Sequence, residues 1–141
     1  MKTNTSLRFL TGMMLAGVLC LCGCATDSRV VTLATVGPGP QDVRSAVAGE
    51  GCLKVYSATN EFSDGAAMYY PHSRYSIHRG DGTYYKGVDN HRSQNDESPE
   101  VVSLPAGTYY VMARSDLDGM VRVPVVIKGG KVTVLNLEGK P

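Results

Sequence analysis

The chain has 141 residues, of which 14 are basic and 13 acidic, and its formal net charge is +1. This length suits one domain of ordinary size. A nearly neutral charge gives no sign of a polyanionic partner. Length and charge therefore favour one small domain and argue against a nucleic-acid binder.

The N-terminus has the order of residues found in secretory signals. Lys2 and Arg8 precede an apolar run that begins at Phe9, and no acidic residue occurs before Asp27. A positive start followed by an apolar segment is typical of an export signal that is later removed. We therefore predict a signal peptide over residues 1–23 and exclude it from the fold.

The end of the apolar run resembles the lipobox of bacterial lipoproteins, because Leu21 lies three residues before Cys24 and Gly23 directly before it. The resemblance implies cleavage before Cys24 and diacylglycerol on its thiol, so the predicted partner of this terminus is a membrane. If the source is Gram-negative, the resemblance further implies that Ala25 after the lipidated cysteine favours sorting to the outer membrane. The alternative is an uncleaved signal anchor, since an uncharged run of about 18 residues is marginally long enough to span a bilayer.

Cleavage changes what the mature chain can do. Removal of Lys2 and Arg8 from the 14 basic residues leaves twelve, against thirteen acidic residues, which again disfavours nucleic acid. Cys20 and Cys22 leave with the signal, so Cys52 is the one cysteine not committed to lipid. No intrachain disulfide framework is therefore expected. Cys52 opens an apolar strand, and we interpret it as part of the core.

Residues 24–50 are predicted to form the lipidated N-terminus and a flexible tether. Glycine and proline alternate at positions 37–40, which interrupts any regular helix or strand. Within this stretch, residues 29–36 favour a short strand and residues 41–48 favour one or two helical turns.

From residue 51 to 141 the sequence predicts an all-β domain. Short runs of β-branched and aromatic residues alternate with turn residues at a spacing typical of sandwiches and barrels. The predicted strands are 52–57, 67–70, 73–79, 83–88, 100–104, 108–114, 120–127 and 131–137.

Glycines mark two tight turns, at residues 80–82 and 129–130. Both supply the positive φ that short hairpins require, so the strands on either side of each turn are expected to pair antiparallel. Pro124 cannot donate to a ladder, which predicts an edge or a bulge. The alternating residues expected to face the core are Val121, Val123, Val125, Ile127, Val132 and Val134.

The segment Leu-Pro-Ala-Gly-Thr-Tyr-Tyr-Val at 104–111 resembles a corner of prealbumin-like sandwich domains, especially carboxypeptidase regulatory-like modules. The resemblance implies an antiparallel Greek-key β-sandwich in which Tyr109 hydrogen-bonds back to the turn. In carboxypeptidases the similar module is noncatalytic, so the resemblance also argues against an active site.

Residues 53–139 further resemble small bacterial lipoproteins that have no assigned activity. The shared motifs are Val-Tyr-Ser-Ala-Thr at 55–59, Tyr-Tyr-Pro-His-Ser at 69–73, Asp-Gly at 81–82, Asn-His at 90–91 and Leu-Pro-Ala-Gly-Thr-Tyr at 104–109. This resemblance covers nearly the whole domain but implies no mechanism.

Three histidines, His72, His78 and His91, lie near acidic residues of the polar segment 89–100. Their spacing matches no metal-ligand pattern, so no metal or other cofactor is predicted. The segment itself is expected to be an exposed loop. The alternative interpretation is that these histidines cap turns or face solvent.

Paired tyrosines suggest a ligand surface, because one ring of each pair faces outward from a strand. Tyr70 and Tyr85, with His72 or His91, are the candidate ligand-binding residues. Cross-strand packing of the rings is the alternative. No nucleophile elbow or comparable signature predicts catalysis.

Together these features predict a noncatalytic, lipid-anchored module of the cell envelope. It would act by contacting another envelope protein or by spacing one from the membrane. The alternative is a carbohydrate-binding or peptidoglycan-binding module that uses the outward tyrosines. An enzyme would need a polar pocket that the sequence does not reveal.

Overall fold

The computed structural model of the protein describes residues 29–43 and 47–139. The predicted signal peptide and Cys24 lie outside these residues. The described part is all β, with ten strands and no helix. The strands are β1 (Val31–Thr32), β2 (Glu50–Tyr56), β3 (Phe62–Ser63), β4 (Met68–Tyr69), β5 (Tyr75–Arg79), β6 (Tyr84–Val88), β7 (Val101–Pro105), β8 (Gly107–Ser115), β9 (Gly119–Ile127) and β10 (Val132–Asn136).

The strands form two main sheets and a short hairpin. A five-stranded sheet, the large sheet, has the order β1-β9-β8-β5-β6, and a three-stranded sheet, the small sheet, has the order β10-β2-β7. The hairpin consists of β3 and β4. Pairing is antiparallel except between β1 and β9 and between β10 and β2, which run parallel. The all-β prediction is therefore confirmed, with a sandwich-like arrangement.

Both sheets contribute to one core, because alternate residues of each strand point inward. The small sheet supplies Leu53, Val55, Val102, Leu104 and Leu135. The large sheet supplies Tyr75, Ile77, Val88, Tyr109, Val111, Ala113, Val121, Val123, Val125 and Ile127. The inward face predicted for residues 121–127 is confirmed. Cys52 is also buried, as expected.

Each of the eight strands predicted from residue 52 onward is confirmed, although the predicted strand at 67–70 is only two residues long in the structure. The turn at 80–82 is confirmed as well. Gly82 has a φ of 88°, and the Arg79 N–H donates to the Thr83 carbonyl at 2.8 Å. The hairpin β3–β4 was not predicted, because its strands are too short to show a period.

The prediction for the last two strands is wrong in pairing and in face. After the turn at Gly130, β10 crosses to the small sheet and pairs with β2 instead of β9. Thr133 and Leu135 are buried, whereas Val134 is exposed. The buried Thr133 hydroxyl donates to the Val126 carbonyl at 2.7 Å, so the polar group is satisfied. The alternating small residues of β10 are compatible with either face of the strand pointing inward. The Thr133–Val126 hydrogen bond favours the arrangement in which Thr133 and Leu135 are buried.

Residues 29–43 of the predicted tether run along the domain. Val31 pairs with Val121, Val36 forms a bridge with Val125, and Asp42 forms a bridge with Lys131. The helical turns expected over 41–48 are not seen at 41–43, and residues 44–46 are outside the described ranges. This segment therefore belongs to the folded unit.

Pro124 fits the edge that this segment covers. Its carbonyl accepts a hydrogen bond from the Val36 N–H at 2.9 Å. Because the N and O atoms of one strand residue point to the same side, the Pro124 nitrogen faces the irregular segment and not β8. The missing N–H therefore leaves the β8–β9 ladder intact.

Tyr109 forms the corner that the resemblance implies. Its side chain is buried, and its hydroxyl donates to the Pro105 carbonyl at 3.0 Å. We expect Tyr109→Phe to lower the free energy of unfolding by about 1 kcal/mol, because one partly buried hydrogen bond is lost. Urea denaturation measures this change. Tyr110→Phe on the same strand is the control and should be neutral; an equal loss in both variants would contradict the prediction.

Candidate functional site

Three of the sequence motifs meet at one end of the domain. This end, which we call the cleft end, is where β2, β8 and β10 finish at Tyr56, Ser115 and Asn136. Backbone hydrogen bonds join these ends, because the Leu137 N–H donates to Tyr56 and the Asp116 N–H donates to Leu137. The motifs at 55–59, 69–73 and 90–91 are brought together here.

Asn90 holds two of these motifs together from a fully buried position. Its side-chain amide donates to the Val55 carbonyl and to the Ser57 hydroxyl, both at 3.0 Å. Its carbonyl oxygen accepts from the Glu100 N–H at 3.1 Å. Its φ of 66° lies in the left-handed region, where asparagine is one of the few tolerated side chains. Asn90 thus fixes both ends of the loop that carries His91.

Ser57 and His72 form the second part of this network. The Ser57 hydroxyl donates to the Ser73 carbonyl at 2.6 Å, and His72 Nδ1 contacts the Ser57 carbonyl at 2.7 Å. Because a carbonyl only accepts, Nδ1 must carry the proton. The other ring nitrogen, Nε2, faces Glu138, whose Oε1 is 3.5 Å away. His72 is thus buried and held in one orientation.

A cleft of about 350 Å³ opens beside His72. Tyr70 lies at its wall, is 44% exposed, and donates its backbone N–H to Glu97 Oε1 at 2.8 Å. The ring of Tyr56 contacts the His72 ring edge to face, with centroids 5.5 Å apart. The lining residues are Tyr56, Thr59, Tyr70, His72, Glu97, Asp116 and Glu138.

The lining defines what the cleft can do chemically. Tyrosine rings offer flat apolar area with a polar tip, and carboxylates accept hydrogen bonds from hydroxyl, amide or ammonium groups. A ligand that presents both an apolar face and several donors fits this arrangement. Short peptide segments and sugars are two classes of ligand that do so.

His91 lies beside this cleft but lines another cavity, of about 550 Å³. Its Nδ1 contacts the His72 carbonyl at 2.9 Å. The structure therefore places three of the four candidate residues, Tyr70, His72 and His91, close together. The cavity of His91 is lined by Asp89, Arg92, Asp96, Ser98, Pro99, Glu100 and Val101.

Tyr85 is separated from the other candidates. It is half-buried near the opposite end of the domain, with its ring centroid 5.8 Å from that of Tyr109 and the Arg79 guanidinium 4.9 Å above it. The register of β5 and β6 shifts between Ile77 and His78, which breaks the alternation of faces. The outward orientation predicted for Tyr85 is therefore wrong, and Tyr85 packs against the core.

Tyr75, the first residue of β5, is buried in the core. Its hydroxyl is buried and has no hydrogen-bond partner among the described residues. Burial, with a smaller effect of the Glu100 charge, raises the pKa of Tyr75 well above its ordinary value. The hydroxyl is therefore neutral at physiological pH.

The loop at 89–100 is organised by Asp96. Its two carboxylate oxygens accept the Ser98 N–H at 2.9 Å and the Arg92 N–H at 3.2 Å. These hydrogen bonds, that of Ser98 first, lower the pKa of Asp96 below its ordinary value of 3.8. The loop is thus a structured wall of the site, although the sequence shows only an exposed polar segment.

The lowered pKa gives a testable pH dependence. A carboxyl group whose pKa is lower in the folded state contributes stability above its ordinary pKa, and this contribution is lost as the pH falls through the folded value. We therefore expect the amide NMR signals of Ser98 and Arg92 to shift together below pH 3.8, at the lowered pKa of Asp96. In Asp96→Asn these shifts should disappear; their persistence would contradict the assignment.

The described residues contain no group of three or more His, Cys, Asp or Glu side chains that could hold a metal ion. They also contain no helix long and apolar enough to cross a membrane. Comparison of the chain with protein-family models, curated proteins and solved structures finds no match.

Sequence reasoning missed five residues of the cleft, namely Tyr56, Thr59, Glu97, Asp116 and Glu138. Tyr56 and Thr59 lie inside the shared motif at 55–59, which was the available signal. The three carboxylates lie in connections far apart along the chain, and acidic residues in turns are ordinary. Nothing in the sequence distinguishes them from solvated charges.

Proposed function

We propose that the protein is a noncatalytic, lipid-anchored module of the cell envelope that binds another envelope protein through the cleft at Tyr70 and His72. The single observation that supports this proposal most is the cleft itself. An exposed tyrosine and three carboxylates surround a histidine held by buried hydrogen bonds. Rigid elements that support an adaptable polar rim are typical of binding sites.

The contacts of His72 support a binding role over a catalytic one. In the described structure, Nδ1 is engaged by a backbone carbonyl and Nε2 faces the Glu138 carboxylate. A nucleophilic mechanism would need a hydroxyl or thiol within hydrogen-bond reach of a ring nitrogen. The proposed classification as a prealbumin-like, carboxypeptidase regulatory-like domain agrees with this and is supported by the Tyr109 corner.

The anchor is tested by intact mass of the protein purified from membranes. The native chain should have the mass of residues 24–141 plus acyl groups, and Cys24→Ser should lose the acyl groups. Cys20→Ser, which changes another cysteine of the same segment outside the lipobox, is the matched control and should remain acylated. An unprocessed native mass would overturn the anchor and the proposed outer-membrane location.

The binding role is tested by affinity purification from detergent-solubilised membranes. The native chain and the control Tyr84→Ala should recover the same partner, because Tyr84 is an exposed tyrosine outside the cleft. Tyr70→Ala should lose it. The backbone hydrogen bond from residue 70 to Glu97 is retained in that variant, so only the ring is removed. Recovery of no partner from the native chain under several conditions would overturn the proposal.

A sugar or peptidoglycan ligand is the second candidate, favoured by one observation. The exposed Tyr70 and the carboxylate residue Glu97 line the same cleft, and sugars stack on aromatic rings while their hydroxyls donate to carboxylates. Co-sedimentation with purified peptidoglycan distinguishes this candidate. Binding that is unchanged in Tyr70→Ala would remove the cleft as the sugar site.

A further inference from the structure

The direction in which the chain enters the domain is set by β1. Val31 pairs with Val121 and Thr32 with Arg122 in parallel, and the Leu33 N–H donates to the Arg122 carbonyl at 3.0 Å. The N-terminal end of β1 therefore lies on the side of Gly119, where β9 begins. Gly119 ends the same β8–β9 turn that carries Asp116 of the cleft. The N-terminal end of β1 and the cleft are thus at the same end of the domain.

The length of the segment limits how far this end can lie from the lipid. Seven residue steps separate Cys24 from Val31, which span about 25 Å at full extension. A fully extended segment is the upper limit, so any bend brings the domain closer. This step depends on the proposed lipid anchor at Cys24.

The cleft end also presents exposed apolar side chains. Leu117, at the tip of the β8–β9 turn, is 78% exposed, and Met120 just after the turn is 41% exposed. Val30 and Val31, on the adjoining segment, are 46% and 40% exposed. Exposed apolar side chains that lie close together are typical of a surface that is covered in the working protein.

We infer that the cleft end rests against the bilayer, with Leu117 and Met120 in contact with the lipid headgroup region and the cleft opening at the membrane surface. The occupant of this apolar surface is the bilayer that carries the anchor. If the opposite end of the domain faced the bilayer, residue 31 would lie farther from the lipid than the extended segment of about 25 Å can reach. β8 alone spans about 30 Å from one end to the other.

This orientation narrows the partner of the proposed cleft. Asp116, Glu138 and Asp118 lie at or beside the turn, so anionic headgroups would be repelled from the cleft itself. The ligand must then reach the cleft along the membrane surface. A segment of a membrane protein close to the bilayer meets this condition, and a polymer distant from the membrane does not.

The inference is tested with the acylated protein in phosphatidylcholine vesicles that contain nitroxide-labelled lipid. A fluorophore is attached at Asp118→Cys in the turn or at Ala106→Cys at the opposite end. Both residues are exposed, and Cys52 is buried, so labelling is selective. Quenching at position 118 should exceed quenching at 106 by about threefold or more, because the two ends lie about 30 Å apart.

Two further variants define the contact. Leu117→Gln combined with Met120→Gln should reduce quenching at position 118, whereas Val47→Gln, which replaces another exposed apolar residue, should not. Equal quenching at 106 and 118 on protein of acylated mass would overturn the orientation and leave the proposed anchor intact. Absence of acyl groups by mass would overturn the anchor and the orientation together.

Discussion

Replacement of Asn90 by alanine is expected to lower the free energy of unfolding by about 4 kcal/mol. The side chain makes three hydrogen bonds in a fully buried position, and its removal leaves the Glu100 N–H and the Val55 carbonyl without their partners. Each buried polar group left unsatisfied costs about 1–3 kcal/mol. A left-handed alanine adds about 1 kcal/mol of backbone strain.

Urea denaturation of the purified protein measures this loss, and two variants separate its causes. Asn90→Gly loses the same hydrogen bonds but tolerates a φ of 66°, so it should be about 1 kcal/mol more stable than the alanine variant. Asn136→Ala is the matched control, because Asn136 is exposed and its side chain accepts one local hydrogen bond from Glu138. A loss at Asn90 no larger than at Asn136 would contradict the proposed role of the network.

Replacement of Gly51 by alanine is expected to cost about 3 kcal/mol or more. An added Cβ would collide with the Lys128 carbonyl and would lie 2.9 Å from Ile127 Cγ2 and 3.0 Å from the Lys131 carbonyl. The oxygens belong to the backbone and cannot rotate away, so β2 and the β9–β10 turn must separate. Overpacking of this kind commonly costs 1–3 kcal/mol, and about the upper end applies where the backbone must move.

Gly37→Ala provides the control, because a Cβ there meets nothing within 4 Å. That variant should have a free energy of unfolding close to the native value. Hydrogen exchange gives a second readout for Gly51→Ala. The Gly130 N–H, which donates to the Glu50 carbonyl at 2.8 Å, should lose its protection. Native stability and protection in this variant would show that the turn can shift without cost.

The strands could be predicted because period-two patterns depend on local sequence. The β9 pattern identified both the strand and its inward face. The sheet that a strand joins depends on distant contacts, so the placement of β10 beside β2 could not be read from its own residues. Thr133 illustrates this, because a hydroxyl in an alternating pattern predicts a residue that faces solvent. In the structure Thr133 is buried, and its hydroxyl donates to the Val126 carbonyl.

The candidate site was predicted in part. Tyr70, His72 and His91 were identified from residue type and position, and the structure brings them close together. Tyr85 was assigned wrongly because a β-bulge changes the face of one residue without any mark in the sequence. Asp116 and Glu138 could not be found, since they meet only after strands from both sheets end side by side.

The segment that runs beside β9 has a mechanical consequence. A pull on the proposed lipid would reach the domain through the N-terminal end of β1, and a pull along the axis of β1 would load its pairing with β9 lengthwise. Hydrogen bonds loaded along a strand share the force and must break together, unlike those of a strand peeled sideways. Only when they fail would residues 31–43 be released. They would then add about 45 Å of slack between bilayer and domain while strands β2 to β10 stay folded.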